Sequence, residues 1–223
     1  PVSRNALVLG KFLGIVAALA SAWWVWSLTL ILVLRHKVIM TARDSIDGPV
    51  LVFGLSALGL ALVLAFLANW RHRRSFPARL RRDLMWLAPL ATVLVLCLDQ
   101  DWQWQSPLAD LDGNVLAALL LLLEAMALLG AVALAASTRW GTMATLAVTS
   151  VVFVAGMVGS ALLGESVLRF ALPNLLLLWV SDGLLRGAEV SGSVLLAASA
   201  WSLTYTGALL ALAASLFRTR DVS

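Results

Sequence analysis

Long apolar runs are the feature that most constrains this chain. Several runs of about twenty residues carry almost no charge, and that is the length a helix needs to cross the ~30 Å hydrocarbon core of a bilayer. Lipid cannot hydrogen-bond exposed backbone groups, so such runs form helices or closed barrels, and the alternating pattern of barrel strands is missing. With 61% hydrophobic and 13% charged residues, the chain has too little polar surface for a soluble globule. The sequence therefore predicts an all-α polytopic membrane bundle.

Six membrane-spanning helices are predicted within a single transmembrane domain. The predicted spans are residues 10–34, 50–69, 84–98, 115–136, 142–163 and 194–217. The third span, at about fifteen residues, is shorter than the hydrocarbon core, so it either thins the bilayer or re-enters it. The apolar part of residues 164–193 is too short to cross. We therefore expect this segment to form short outer interfacial or re-entrant helices.

The charge distribution predicts how the bundle is oriented. Lys and Arg accumulate on the cytoplasmic side of a membrane. The densest basic cluster follows the second span and consists of Arg71, Arg73, Arg74, Arg79, Arg81 and Arg82. Residues 99–112 carry four acids and no Lys or Arg, as expected of an outer loop. Both ends of the chain are therefore predicted to be cytoplasmic, and the basic outer loop at residues 35–43 is the exception to the rule.

Glu124 is predicted to lie deep inside the fourth span. A charge at the centre of a membrane helix is unfavourable by roughly 2.5–3.5 kcal/mol, so Glu124 should face the bundle or be protonated. One interpretation is a polar contact on a substrate path or at a subunit interface. The other is a structural residue, protonated or hydrogen-bonded to Ser160, Thr145 or Ser150 on the next helix.

No catalytic, cofactor-binding or metal-binding constellation is recognisable in the sequence. The two histidines, His36 and His72, fall at opposite predicted membrane edges, and the single cysteine, Cys97, lies in an apolar run. The GKF sequence at Gly10 lacks the glycine pattern of a P-loop. We therefore expect the chain not to be an enzyme and not to bind ATP. Its basic balance indicates orientation in the membrane, and no nucleic-acid partner is expected.

The N-terminal segment is basic and runs directly into an apolar helix. Arg4 and Lys11 are separated by two helical turns, so they share one helix face. Cations at this depth suit the cytoplasmic interface. The residues themselves are compatible with an ordinary basic flank of a membrane helix and with a docking surface for a cytosolic partner.

Both ends of the chain resemble a known family. PVSR, five residues and then GK directly before a span is similar to the segment that precedes the third transmembrane helix in permeases of the ATP-binding-cassette type-2 exporter class. The C-terminal part is also similar, with an outer segment that begins at Pro173, an Asp182 to Gly187 stretch, and a final helix that ends at Phe217 before Arg-Asp. Between residues 34 and 115 the chain departs from the family, because it has room for two further spans where the class usually has one outer connection.

The resemblance implies a function and a set of partners. In that family the N-terminal segment forms a coupling helix that touches the ATPase, so residues 1–11, with Arg4 and Lys11, would position a cytosolic ATP-binding-cassette ATPase. ATP would be bound by that partner and not by this chain. Two permease subunits would pair, as a homodimer or a heterodimer, in the bacterial inner membrane. Two membrane helices and a cytosolic stretch would precede Pro1 in the complete protein.

An alternative from another functional class stays open. The chain would then be a non-transporting membrane assembly or sensor protein, whose basic loop after the second span binds a partner or anionic lipid.

Overall fold

Six long helices make up most of the computed structural model, which describes residues 3–36, 46–109, 111–162, 172–181 and 189–218. The helices are α1 (Arg4–His36), α2 (Gly48–His72), α3 (Phe76–Leu96), α4 (Gly113–Ser137), α5 (Thr142–Leu162) and α6 (Gly192–Arg218). Among the residues just given, a 3-10 turn lies at Leu175–Leu177. The described residues contain no strand beyond one isolated bridge between Leu98 and Trp104. These elements confirm the predicted all-α fold.

Five of these helices, α1, α2, α4, α5 and α6, are long and apolar enough to cross a membrane. They overlap the predicted spans at residues 10–34, 50–69, 115–136, 142–163 and 194–217. Many of their large apolar side chains are exposed, among them Leu55, Val63, Phe66, Val151, Leu196 and Leu203. Exposed apolar surface of this extent is suited to lipid and not to water. The chain is a helical membrane protein.

Helix α3 overlaps the third predicted span, residues 84–98, but begins earlier, at Phe76 instead of Leu84, and ends at Leu96. Two local features explain the earlier start. Pro77 occupies the first turn, where its missing N–H costs nothing. One turn later, Arg79 Nε donates to Asp83 Oδ2 at 2.7 Å, an i,i+4 pair that supports a helix. These charged first turns leave α3 outside the set of helices that are apolar enough to cross.

The chain divides into two compact units. The first unit comprises Pro1–Ala20 and Gly113–Ser223, and the second comprises Ser21–Asp112. In the first unit, α4 packs against α6 and α5. One core cluster of this unit consists of Val8, Phe12, Ala131, Leu134, Ala135 and Ala213. Another consists of Leu121, Leu128, Val132, Leu175, Leu178 and Ala198. In the second unit, α2 packs against α3.

Part of the predicted outer segment, residues 164–193, is described. Within it, Leu175 and Leu178 are buried in the cluster formed with α4 and α6. The short apolar stretch therefore packs on helices of the first unit. Residues 163–171 and 182–188 lie outside the described residues, and so does the Asp182 to Gly187 stretch of the family resemblance.

Gly156 on α5 permits the close approach of this short stretch. A Cβ atom at Gly156 would lie 2.5 Å from the carbonyl oxygen of Pro173 and 2.9 Å from Leu175 Cγ. Backbone cannot move aside as cheaply as the end of a flexible side chain. We therefore expect Gly156→Ala to lower the free energy of unfolding by about 1–3 kcal/mol, the usual range for overpacking. Unfolding of the detergent-solubilised protein measures this change.

The matched control is Gly207→Ala on α6. A Cβ atom there meets nothing within 4 Å. Alanine favours a helix interior over glycine by up to about 1 kcal/mol, so this variant should be neutral or more stable. Equal destabilisation by the two substitutions would contradict the close packing at Gly156.

Candidate functional sites

The predicted coupling segment forms the first turns of α1. Ser3 caps this helix, because its Oγ accepts a hydrogen bond from the backbone N–H of Ala6 at 3.2 Å. Arg4 is the first helical residue, and the helix runs without a break through Lys11. Arg4 and Lys11 therefore keep the two-turn spacing that places them on one helix face. The Arg4 side chain itself lies outside the described part of the structure.

Two buried side chains hold this end of α1 in the first unit. Val8 and Phe12 are 5% and 9% exposed, and they pack in one cluster with Leu134 of α4 and Ala213 of α6. Lys11, between them in sequence, is exposed. The first turns of α1 thus have a buried apolar side and an exposed basic residue.

Lys11 lies beside the last turns of α4 and α6. Its Nζ is 5.7 Å from the centroid of the Phe217 ring, within the range of a cation–π interaction. A small cavity of about 40 Å³ between these helix ends is lined by Leu7, Val8, Lys11, Leu134, Ser137, Thr138 and Phe217. The site can present a cation and a few polar groups to a partner, and it has no room for a small-molecule substrate.

Glu124 lies in the middle of α4 and is half-buried. Its Oε2 is buried and finds no hydrogen-bond partner among the described residues. The same holds for Thr145 Oγ1, so the predicted Glu124–Thr145 hydrogen bond is not formed. Ser150 is exposed, and the side chain of Ser160 is not described. Burying an unpaired polar atom costs about 1–3 kcal/mol, and none of the described residues offsets that cost for Glu124 Oε2.

We expect Glu124→Leu to raise the free energy of unfolding by about 1–3 kcal/mol, because leucine removes the unpaired carboxyl oxygen from an apolar setting. Glu124→Gln is the matched control, since the amide keeps a polar group at the same position, and it should change stability less. Thermal unfolding in detergent measures both changes. A less stable Glu124→Leu variant would contradict the prediction and assign Glu124 a stabilising partner.

A buried ion pair in the second unit was not predicted from the sequence. Arg35, near the end of α1, is 6% exposed, and Asp47, directly before α2, is fully buried. Arg35 Nε lies 3.4 Å from Asp47 Oδ2. Asp47 also caps α2, since its Oδ1 accepts a hydrogen bond from the backbone N–H of Val50 at 3.0 Å. The Asp47 carboxylate thus pairs with the Arg35 guanidinium and also caps the N-terminus of α2.

The guanidinium of Arg35 also caps the end of α3. Its two terminal nitrogens donate to the backbone carbonyl oxygens of Val95 and Leu98. Carbonyls in the last turn of a helix have no partner within the helix, so they need a donor of this kind. The Leu98 carbonyl accepts a second hydrogen bond, from Gln105 Nε2 at 3.2 Å. Arg35 and Asp47 therefore join the end of α1, the start of α2 and the end of α3.

This arrangement accounts for one cation, Arg35, of the basic loop that is the exception in the predicted charge distribution. The sequence counts Arg35 as a cation of a basic outer loop, whereas in the structure its charge is paired and buried. A local signal was available for Asp47. Asp followed by Gly and Pro is typical of a helix start, with a capping carboxylate and a proline in the first turn.

No protein-family model matches the chain, and no curated protein and no solved structure is significantly similar to it. Among the described residues, no group of three or more His, Cys, Asp or Glu side chains is arranged to hold a metal ion.

Proposed function

We propose that this chain is the transmembrane permease subunit of an ATP-binding-cassette exporter, and that the first turns of α1 receive a separate cytosolic ATPase. The observation that carries the proposal is the position of the segment that resembles the family's coupling helix. That segment, with Arg4 and Lys11, is the end of a long membrane helix and is held against α4 and α6 by Val8 and Phe12.

This anchoring gives a physical route for coupling. A partner that moves the first turns of α1 also displaces the ends of α4 and α6, because a close-packed cluster transmits displacement instead of absorbing it. The partner supplies ATP binding and hydrolysis, and this chain supplies no catalytic group. Lys11 stays exposed and provides the charge that an acidic surface of the ATPase recognises.

The remaining parts of the proposal follow from the family resemblance and the charge distribution. Two permease subunits pair, as a homodimer or a heterodimer, in the bacterial inner membrane. Both ends of this chain face the cytoplasm, where the ATPase docks. The exposed apolar side chains of the membrane helices supply the surface for lipid and for the second subunit.

Affinity purification of the complete protein from its native host in mild detergent tests the proposal. We expect an ATPase with a P-loop to co-purify with it in a fixed ratio. The control is the same purification in high salt, where a partner held by surface charges is weakened. If no ATPase is recovered from a bundle that keeps its helical content, the exporter assignment is wrong. The alternative, a non-transporting assembly or sensor protein, would then be favoured.

A further inference from the structure

A basic cavity of about 310 Å³ lies at the turn between α2 and α3 in the second unit. Its polar wall is formed by Arg71, Arg74 and Arg79, together with His72. Its apolar wall includes Leu64 and Leu67, from the last turns of α2. The volume falls at the lower end of the range for small-molecule sites. The two walls suit a ligand with an anionic group at one end and an apolar chain at the other.

The turn that carries the arginines has a fixed backbone. Arg73 ends α2 with φ 50°, in the left-handed region, which costs a residue with a side chain more than it costs glycine. Backbone hydrogen bonds offset that cost, since the N–H groups of Arg73 and Arg74 both donate to the carbonyl oxygen of Ala68. Asn69 Nδ2 donates to the carbonyl oxygen of Arg74 at 2.8 Å. Arg71 and Arg74 are therefore held on either side of a rigid turn.

The positive charge of the cavity is only partly neutralised within the protein. Asp83 is 8% exposed and accepts from Arg79 at 2.7 Å, and its other oxygen lies 3.5 Å from Arg82 Nε. No acid among the described residues pairs with Arg71 or Arg74. The start of α3 adds further positive potential, because Ser75 makes no side-chain capping hydrogen bond to the first N–H groups of that helix.

An exposed tryptophan indicates the depth of the cavity in the membrane. Trp70 is 76% exposed and directly precedes Arg71. Tryptophan is enriched where the lipid headgroups meet the hydrocarbon. The position of Trp70 favours a placement of the arginines at the level of the lipid phosphates, with the leucine wall alongside the acyl chains.

We propose that this cavity binds the headgroup of an anionic phospholipid. The phosphate accepts hydrogen bonds from Arg71 and Arg74, whose planar guanidinium groups match phosphate oxygens in pairs. One acyl chain lies along Leu64 and Leu67. Basic pockets beside membrane helices on the cytoplasmic side are a known way of binding such headgroups. The site goes beyond the proposed exporter function and does not depend on it.

Native mass spectrometry of the complete detergent-solubilised protein, titrated with phosphatidylglycerol, tests the site. A direct hydrogen bond to a charged group contributes at least about tenfold in affinity, so Arg71→Gln with Arg74→Gln should weaken binding about a hundredfold. Both side chains are exposed, so the variant should keep its fold, which circular dichroism and thermal unfolding verify. Phosphatidylcholine, which carries no net charge, should bind the native protein weakly.

The matched control is Arg73→Gln with Arg81→Gln. It removes the same charge from the turn and the start of α3, but neither residue lines the cavity. Glutamine at position 73 also leaves the left-handed residue with a side chain, so the backbone cost is unchanged. We expect this control to weaken phosphatidylglycerol binding no more than about twofold, as a general surface charge would.

Two results would overturn the proposal. If the control weakens binding as much as the cavity variant, the lipid is attracted by general surface charge and not by this cavity. If inorganic phosphate or glycerophosphoglycerol, which lacks acyl chains, displaces the lipid at equal concentration, the ligand is a soluble phosphate and the leucine wall has no role. Lipid binding that resists both competitors and is lost in the cavity variant supports the site.

Discussion

Replacement of Asp47 by alanine is expected to lower the free energy of unfolding by about 3–5 kcal/mol, the range for breaking a buried ion pair from one side. The substitution leaves the guanidinium of Arg35 buried without its carboxylate. It also removes the side chain that caps α2 through the N–H of Val50. Unfolding of the detergent-solubilised protein measures the loss. Amide exchange in residues 93–105 should rise most, because Arg35 binds the carbonyls there.

A short series of variants separates the two roles of Asp47. Asp47→Asn keeps an oxygen that caps the helix and removes the charge, so it isolates the cost of the unpaired Arg35. Arg35→Met with Asp47→Ala removes both charges and should lose less than the sum of the single changes. Asp101→Ala, at an exposed acid of the same unit, is the control and should cost at most about 0.5 kcal/mol. A loss of less than 1 kcal/mol for Asp47→Ala would contradict the buried pair.

The long helices were predictable because their cause is local. An apolar run of sufficient length in a chain this poor in charge has no stable alternative to a helix in lipid. The prediction placed the start of α3 too late, because it relied on the same apolar pattern. The charges between Arg79 and Asp83 end the apolar run, so hydropathy places the boundary at Leu84, whereas the backbone needs only Pro77 and the i,i+4 pair to begin a helix. Capping signals mark such starts better than hydropathy does.

The contacts of the candidate sites could not be read from the sequence, because they join residues far apart in the chain. Arg35 contacts carbonyls some sixty positions away, and Lys11 lies beside Phe217, some two hundred positions later in the sequence. Glu124 illustrates the same limit. Its place inside a span was predictable, but its partner was not. Of the three suggested hydrogen-bond partners, Thr145 makes no bond to it, since both polar atoms are buried without partners among the described residues. The spacing of residues along a helix determines which side chains share a face, but it does not determine which residues that face contacts.

Charge reversal of the coupling segment is expected to have the largest functional effect. Under the proposed function, Arg4→Glu with Lys11→Glu should abolish the stimulation of ATP hydrolysis that the permease gives its ATPase. An acidic surface on the partner would meet two acids in place of two cations, and like charges at a contact cost several kcal/mol. The ATPase rate of the reconstituted complex, compared with that of the isolated ATPase, measures the effect.

The same variant should insert and fold normally, because Lys11 is exposed and an exposed cation–π contact contributes about 0.5–1 kcal/mol. Phe217→Leu removes the ring beside Lys11 but keeps the charge, and should preserve coupling. Arg73→Glu with Arg81→Glu reverses as much charge at the α2–α3 turn and should also preserve it. Full stimulation by the Arg4 and Lys11 variant would contradict the coupling assignment, because the two cations on which that assignment rests would then have no part in docking. Equal loss in the turn variant would attribute the effect to membrane surface charge instead of α1.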